Sequence, residues 1–344
     1  MKKLIKPQKL IKGDTVATVS LSWGGAGDRD LLWRYNVGKQ RLEQQFGLRV
    51  IEMKNTLKGS AHLYDHPEKR ANDLMNAFAD PSVKAVFSCI GGDESVRLLP
   101  YIDFDIIKNN PKIFMGYSDT TISHLMCLKA GVSSFYGPSI LAEFAENIKI
   151  FDYTAGWIQK ALFDALPLGE IKPVAHWTGE RIEWRPENAA VQKTMRRNQG
   201  YELLQGTGKA IGRLMGGCIE VLEMAKGTSL WPDAETFEDA ILFFETSEDM
   251  PEPKYIEYWL RNYGSLGILQ KAKAILFGKP YQERFYEEYK KAIMKIISEL
   301  RLDLPVFYNM SFGHNEPMCI LPYGALAEVN CENRTFTILE SGVV

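Results

Sequence analysis

The sequence lacks the features that mark several common classes of protein. Its 344 residues include only five cysteines, which form neither a CxxC pair nor a Cys/His cluster of zinc-site spacing. Scattered cysteines in odd number predict reduced, mostly buried thiols in a cytoplasmic protein. These cysteines are Cys89, Cys127, Cys218, Cys319 and Cys331.

Long apolar runs and a basic excess are missing as well. Nowhere do about 18 consecutive apolar residues occur, so we expect no membrane span. The basic beginning of the chain is interrupted by charged residues from Lys6 to Asp14, so we expect no secretory leader. A net charge of -2 without polybasic runs argues against a nucleic-acid polymer as partner.

The composition is that of an ordinary globular protein, with 45% hydrophobic and 24% charged residues, and the length predicts about two domains. The first half alternates short apolar strands with helical patterns, which predicts a mostly parallel sheet covered by helices. The predicted strands are 14–20, 48–52, 84–90, 112–116 and 134–136. The predicted helices are about 29–46, 66–79, 93–100 and 119–130.

The texture of the chain changes after residue 164. We expect an N-terminal α/β domain over 1–165, a crossover segment with short antiparallel strands over 166–207, and a C-terminal domain over 208–344. In the last part, a Gly-Gly turn is predicted to open a helix at 216–226. Further elements are predicted as strands at 240–244, 272–278, 305–309 and 325–338 and helices at 254–263 and 282–300.

The segment MGYSDT at 115–120 has the features of a nucleophile elbow. An apolar strand runs directly into Gly116 and Ser118, and a helix follows, which would expose the serine hydroxyl at the carboxyl end of the sheet. The Asp119 amide would then face a developing oxyanion. Thr120 stands where the G-x-S-x-G pattern has its second glycine, and Ser118 as a simple helix cap is the alternative.

A catalytic serine needs a base, and the chain has five histidines. His62 and His66 lie in a polar loop, and His176 lies in the crossover segment. His124 follows the elbow on the same helix, six residues after the serine, and should point away from it. His314 lies in an irregular loop after a strand and is therefore the candidate base, although a lone loop histidine often has no catalytic role.

An acid is needed to orient the imidazole. Glu245 is the first polar residue after the fully apolar strand 240–244, so its carboxylate would be well held. The alternative is a structural glutamate that binds backbone amides. Glu248 and Asp249 are expected to face solvent or to cap the next element.

Glycine-rich turns suggest other sites. The turns at 25–27 and 206–208 lack the spacing of dinucleotide-binding and P-loop motifs. Gly91, Gly92 and Asp93 end the third strand beside the expected position of the elbow, so the Gly92 amide could complete an oxyanion hole with that of Asp119. A tight turn that requires positive φ would use the same glycines.

Six segments together resemble the LD-carboxypeptidase family of serine peptidases (family S66). They are IGGDES at 90–95, GYSDTT at 116–121, YGPS at 136–139, GRLMGG at 212–217, FETSED at 244–249 and FGH at 312–314. The resemblance spans nearly the whole chain and implies a catalytic triad of Ser118, Glu245 and His314. It also implies a flavodoxin- or amidotransferase-like N-terminal domain, a β-rich C-terminal domain, a site in the cleft between them, a homodimer, and no metal or organic cofactor.

Within that family the chain is similar to the MccF-like branch, the microcin C immunity proteins, which implies a peptidyl or aminoacyl nucleotide as substrate. Members of that branch stack an aromatic residue of the crossover segment on adenine, and Trp184 is the matching residue. Gly91 and Asp93 differ from the motif expected of enzymes acting on peptidoglycan, which also favours the nucleotide. Trp184 packing the crossover segment onto the domain is the alternative.

Two other functions remain open at this point. The first is a muramoyl-tetrapeptide LD-carboxypeptidase of peptidoglycan recycling. The second is a non-catalytic binder of a small ligand, in which the elbow only holds an anion at a helix N-terminus. A glutamine amidotransferase is excluded because Ser118, not a cysteine, stands at the elbow.

Overall fold

The structure is a computed structural model that describes residues 3–344. Its strands are β1 (Thr15–Val19), β2 (Arg49–Glu52), β3 (Val83–Ser88), β4 (Ile113–Gly116), β5 (Phe135–Tyr136), β6 (Gly169–Glu170), β7 (His176–Trp177), β8 (Arg196–Arg197), β9 (Glu202–Gln205), β10 (Lys209–Cys218), β11 (Ala240–Glu245), β12 (Ala274–Gly278), β13 (Val306–Met310), β14 (Leu321–Pro322), β15 (Leu326–Asn330) and β16 (Thr335–Ile338). Its helices are α1 (Leu32–Phe46), α2 (Ser60–Asp65), α3 (Pro67–Ala79), α4 (Phe104–Asn109), α5 (Thr121–Lys129), α6 (Asp152–Phe163), α7 (Ile219–Ala225), α8 (Pro253–Ser265), α9 (Ile268–Lys271) and α10 (Tyr286–Glu299).

The N-terminal half forms a sheet with the order β14-β5-β4-β3-β1-β2. The strands β1 to β5 are all parallel, and their order 2-1-3-4-5 is that of a flavodoxin-like doubly wound sheet. The short strand β14 comes from near the other end of the chain and pairs antiparallel with β5, so that Leu321 lies opposite Tyr136. The predicted α/β fold class is confirmed.

A second sheet has the order β6-β16-β15-β10-β11-β12-β13-β9. Its centre, β10 to β13, is parallel, and antiparallel strands flank it on both sides. The crossover segment supplies both edge strands, β6 and β9, and a separate pair, β7 with β8. The short antiparallel strands predicted there are present, and the domain boundaries themselves stay a prediction.

The predicted Gly-Gly turn before a helix at 216–226 is wrong. Gly216 and Gly217 lie inside β10, and the helix α7 begins only at Ile219. A side chain at Gly216 would overlap the carbonyl of Phe243 in β11, and one at Gly217 would come within 2.7 Å of Thr121. The two glycines therefore allow a close approach between backbones rather than a turn.

The helix α5, which follows the elbow, lies buried between the two sheets. Every residue from Thr121 to Leu128 is buried, as expected for a helix that is apolar on most sides and packed on all of them. It packs against α7 and β10 of the C-terminal half as well as against β5. All five cysteines are buried free thiols, as predicted, and within residues 3–344 no helix is long and apolar enough to cross a membrane.

Candidate active site

A cavity of about 520 Å³ opens where the carboxyl ends of parallel strands from both sheets meet. Ligands of doubly wound sheets bind at these strand ends, and the volume is within the range of small-molecule sites. The residues that reach it from the loops after strands are Gly91 and Gly92 after β3, Ser118 after β4, and His314 after β13, while Cys218 ends β10. Gly91, Gly92, Asp93, Ser118, Trp184 and His314 from the sequence analysis all line it.

Ser118 adopts the strained backbone expected of an elbow. Its φ of 61° is uncommon for a residue with a side chain. A Cβ at Gly91 would lie 2.9 Å from the Ser118 Cβ and 3.0 Å from its Oγ, so only glycine fits beside the hydroxyl. Thr120 is tolerated at the position of the missing glycine because it packs against Gly116 and donates a hydrogen bond of 3.2 Å to the Ser88 hydroxyl.

Glu245 and His314, 69 residues apart in sequence, form a hydrogen bond of 2.6 Å between a carboxylate oxygen and Nδ1. Glu245 is 2% exposed, and its other oxygen accepts a hydrogen bond of 2.5 Å from the Tyr136 hydroxyl. The same hydroxyl accepts a 3.3 Å hydrogen bond from the Ser118 amide. Tyr136 therefore connects the elbow with the acid–imidazole pair, a connection that the sequence analysis missed.

The second ring nitrogen of His314 does not contact the Ser118 hydroxyl. The Nε2 atom is buried without a hydrogen-bond partner and lies 2.9 Å from a carboxylate oxygen of Glu248, out of line for a hydrogen bond. Glu248, which we expected to face solvent or to cap the next element, has a side chain that is 41% exposed, but its carboxylate also lies against the imidazole, a contact that the sequence analysis missed. Hydrogen bonds of catalytic groups are often long or open until substrate binds.

Two carboxylates favour the charged form of His314. Burial opposes the charge, but the charges of Glu245 and Glu248 outweigh it and raise the pKa of His314 well above its ordinary value. In return, contact with His314 lowers the pKa of Glu248 to about 2. The surroundings of His314 thus favour its imidazolium form.

The glycine turn after β3 is fastened to the elbow by the side chain of Asp119. One carboxylate oxygen of Asp119 accepts hydrogen bonds from the amides of Ser95 (2.8 Å) and Glu94 (3.1 Å), and Ser95 returns one to the Asp119 carbonyl. Burial raises the pKa of Asp119. Gly92 has a φ of 142°, and a side chain there would overlap the Ser22 hydroxyl. The two amides proposed for an oxyanion hole therefore belong to one rigid unit.

The crossover segment covers another side of the cavity. The half-buried indole of Trp184 lines the cavity, and the Arg34 guanidinium lies 4.6 Å from its ring centroid in a cation–π contact. Lys193 forms ion pairs with Glu146, at 2.5 Å, and with Glu316. Burial lowers the pKa of Arg34 to about 10. These contacts join the segment to the N-terminal half of the molecule.

The other histidines lie elsewhere, as predicted. His124 points away from the cavity and bonds the Ser134 hydroxyl (2.8 Å) and the Gly116 carbonyl (2.9 Å), and burial lowers its pKa to about 4. His62, His66 and His176 do not line the cavity. Across residues 3–344, no group of three or more histidine, cysteine or acidic side chains is arranged to hold a metal ion.

Family models and related proteins match this architecture over most of the chain. The LD-carboxypeptidase N-terminal domain matches residues 16–137, and the LD-carboxypeptidase C-terminal domain matches residues 211–329. The chain is 29% identical to the microcin C7 self-immunity protein MccF of Escherichia coli, with 86% of each chain covered. It is 26% identical to a probable murein peptide carboxypeptidase of Bacillus subtilis, over 98% of this chain and 95% of the other.

Solved structures agree. An MccF-like protein from Streptococcus pneumoniae, determined in complex with AMP, superposes with a TM-score of 0.88 and 34% identity, over 94% of this chain and 98% of the other. MccF in complex with aspartyl sulfamoyl adenosine gives a TM-score of 0.84 at 26% identity, over 99% of this chain and all of the other.

Proposed function

Because the chain belongs to the LD-carboxypeptidase family of peptidases, we propose that it is a serine hydrolase that cuts the terminal amide bond of a peptidyl or aminoacyl nucleotide. The observation that carries the proposal is the 2.6 Å hydrogen bond from His314 to the buried Glu245, because His314 lines the same cavity as the strained Ser118 elbow. This pair and the elbow supply the three kinds of group that acyl transfer by a serine needs, and they support the triad as a proposal.

In the proposed mechanism, the Ser118 hydroxyl attacks the acyl carbon and passes its proton to neutral His314. The imidazolium then protonates the leaving amine as the carbon–nitrogen bond breaks, which leaves an ester on Ser118. Water attacks that ester with His314 again as base, and the acid and free serine are released. Glu245 holds Nδ1 throughout, and the amides of Gly92 and Asp119 stabilise the oxyanion.

The resting contact between His314 and Glu248 requires one further step. His314 accepts the serine proton only in its neutral form, so Glu248, which favours the imidazolium, opposes this step, and Nε2 must contact the hydroxyl in place of Glu248. A substrate that enters the cavity beside Glu248 would separate the two groups. Glu248 therefore raises, together with Glu245, the pH at which the neutral base becomes available.

The nucleotide part of the proposal is supported by Trp184 and by the related structures. The indole lines the cavity, and an aromatic face contributes about 1–3 kcal/mol when a base stacks on it. Two structural neighbours bind AMP and aspartyl sulfamoyl adenosine. The murein peptide carboxypeptidase among the relatives makes a muropeptide the competing substrate.

The test compares two classes of substrate and examines the Ser118→Ala variant. Purified protein is incubated with a panel of aminoacyl sulfamoyl adenosines and, separately, with a murein tetrapeptide, and the released amino acid is quantified. We expect release from the nucleotides and loss of about 10⁴-fold or more in kcat for Ser118→Ala. Release only from the tetrapeptide would refute the nucleotide substrate, and an Ser118→Ala variant that keeps its activity would refute the triad.

Trp184 separates the two substrates a second way. Trp184→Ala should raise KM for the nucleotide about 5- to 150-fold, the equivalent of one stacked base, and leave KM for a murein peptide unchanged. Trp184→Phe keeps an aromatic face and serves as the matched control. Equal effects on both substrates would show that Trp184 only packs the crossover segment.

The homodimer implied by the resemblance stays a prediction, which light scattering on the purified chain tests.

A further inference from the structure

One side of the cavity carries three carboxyl groups. We call it the acidic wall; it is formed by α7 and the turn after β11, and its residues are Glu220, Val221, Met224, Ser247, Glu248 and Asp249. Three of the six side chains are acidic and two are apolar. This combination has both a charge and a surface for a hydrocarbon chain.

The acidic wall adjoins the reacting groups. Cys218, directly before α7, pairs with Glu245 in the sheet, and its amide donates a 3.2 Å hydrogen bond to the Thr121 hydroxyl, three residues after Ser118. At the other end of the wall, Glu248 lies 2.9 Å from the Nε2 atom of His314. A group held by this wall would therefore be attached to the substrate close to the acyl carbon.

Two of the cations that line the cavity are bound away from the acidic wall. Lys193 is paired with Glu146 and Glu316. Arg34 donates a 2.6 Å hydrogen bond to the Leu141 carbonyl and lies against the Trp184 ring. Of the described lining residues, this leaves the exposed Arg181, whose charge contributes to the lowered pKa of Glu248, and His314 itself.

Glu220 is held in a fixed position and lacks a positive partner among its contacts. One of its carboxylate oxygens accepts hydrogen bonds of 2.8 Å from both the amide and the hydroxyl of Ser247, and the other accepts one from the Cys218 thiol. Burial and the charge of Glu245 raise the pKa of Glu220. A cation placed beside Glu220 would stabilise its charged form against both burial and the charge of Glu245.

We propose that the acidic wall is a subsite for a positively charged side chain, such as that of lysine or arginine, on the acyl part of the substrate; this rests on the proposed hydrolase function. Val221 and Met224 offer apolar contact to the methylene stem, while the carboxylates receive the charged end. His314, whose Nε2 is buried without a hydrogen-bond partner among residues 3–344, lines the cavity next to the wall, where the scissile amide would lie.

The proposed preference for a cationic acyl side chain would distinguish this chain from a structural neighbour. MccF was determined with aspartyl sulfamoyl adenosine, a ligand whose acyl side chain is anionic. In the present cavity an aspartyl side chain would meet Glu220, Glu248 and Asp249, and like charges in a partly buried site repel. The same carboxylates would attract a lysyl side chain.

Binding to the Ser118→Ala variant tests the proposal without turnover. Dissociation constants are measured by calorimetry for lysyl, norleucyl and aspartyl sulfamoyl adenosine, of which norleucyl has the lysyl stem without its charge. We expect lysyl to bind at least tenfold more tightly than norleucyl and aspartyl to bind most weakly. Equal affinity for lysyl and norleucyl, tighter binding of aspartyl, or binding of none would overturn the proposal.

Charge substitutions then locate the subsite. Asp249→Lys and Glu220→Gln, each combined with Ser118→Ala, should reduce the lysyl-to-norleucyl preference at least tenfold and at least threefold, respectively. Asp303→Lys makes the same change of charge at an exposed position that does not line the cavity, and should leave the preference intact. An unchanged preference in both wall variants would place the charge selection elsewhere and overturn the assignment.

Turnover by the unmodified protein separates this inference from the proposed function. Preferential binding of the lysyl compound without hydrolysis of any nucleotide would refute the hydrolase and leave the charge selection standing. Hydrolysis of all three compounds with equal kcat/KM would refute the charge selection and leave the hydrolase standing.

Discussion

The contact between Glu248 and His314 predicts that Glu248→Gln moves the acid limb of the pH profile. The carboxylate stabilises the imidazolium, so its removal lowers the pKa of His314 and the neutral base persists to lower pH. Opposite charges about 4 Å apart interact by about 1 kcal/mol in water and about 4 kcal/mol near a protein surface. Because the Glu248 side chain is 41% exposed, we take about 1.5–3 kcal/mol, which corresponds to about 1–2 pKa units.

Two measurements check this shift. The dependence of kcat/KM on pH reports the free enzyme, and its acid limb should move down by about 1–2 units in Glu248→Gln. Proton NMR of the histidine rings should give the same shift for one of five resonances, the one that His314→Gln removes, and this titration does not need activity. Asp303→Asn is the control. An acid limb and a titration that both stay in place, or that move upward, would contradict the assigned role of Glu248.

Two further substitutions test how the site is built. Tyr136→Phe removes the donor to the buried Glu245 carboxylate, so we expect a loss of about 1–3 kcal/mol in the free energy of unfolding and a lower kcat at unchanged KM. Urea unfolding measures the first effect and steady-state kinetics the second. A lower kcat with KM raised in proportion would argue against a positioning role for Tyr136. Gly91→Ala would place a methyl 3.0 Å from the Ser118 Oγ and should lower kcat at least 100-fold in a folded protein. The control is Gly156→Ala, where nothing in residues 3–344 lies within 4 Å of the added methyl; it should leave kcat unchanged and stabilise α6 by about 0.5–1 kcal/mol. Similar kinetics for the two variants would contradict the tight packing at the elbow.

The parts of the site that local sequence could predict are those that follow directly from strand ends. Glu245 was identified as the first polar residue after a fully apolar strand, and Ser118 as the residue at a sharp strand-to-helix turn. The carboxyl ends of parallel strands share one edge of a sheet, so such residues meet without any knowledge of the packing. Their catalytic roles remain predictions that the variants above test.

What local sequence could not predict depends on contacts between distant segments. Tyr136 bonds Glu245 across 109 residues, and Lys193 reaches Glu316 across 123 residues. Glu248 is expected from the sequence to face solvent or to cap the next element, and only the position of the His314 loop reveals its contact with the imidazole. No periodicity marks any of these pairs.

One element was missed although its pattern was present. The helix α6 buries Thr154, Trp157, Ile158, Ala161 and Leu162, which is the i, i+3, i+4, i+7, i+8 spacing of an amphipathic helix. At β10, in contrast, a pattern indicated an element that is absent: Gly216 and Gly217 predicted a turn, but they lie inside the strand. A glycine pair allows a close approach between backbones as well as a turn, and the sequence does not distinguish the two.

The joint between the two sheets determines which part of the site can adjust to a substrate. The Tyr323 hydroxyl, next to β14, donates to the Gly216 carbonyl of β10, and the Tyr323 ring stacks on His124 of α5 at 4.9 Å. Because β14 is itself hydrogen-bonded to β5, the elbow and the acid–imidazole pair are fixed to one another by buried contacts. Substrate selection, in contrast, is assigned to exposed or half-buried residues such as Trp184 and Asp249. Substitutions in the buried joint should therefore change kcat, and substitutions in the exposed parts should change KM and the ranking of substrates.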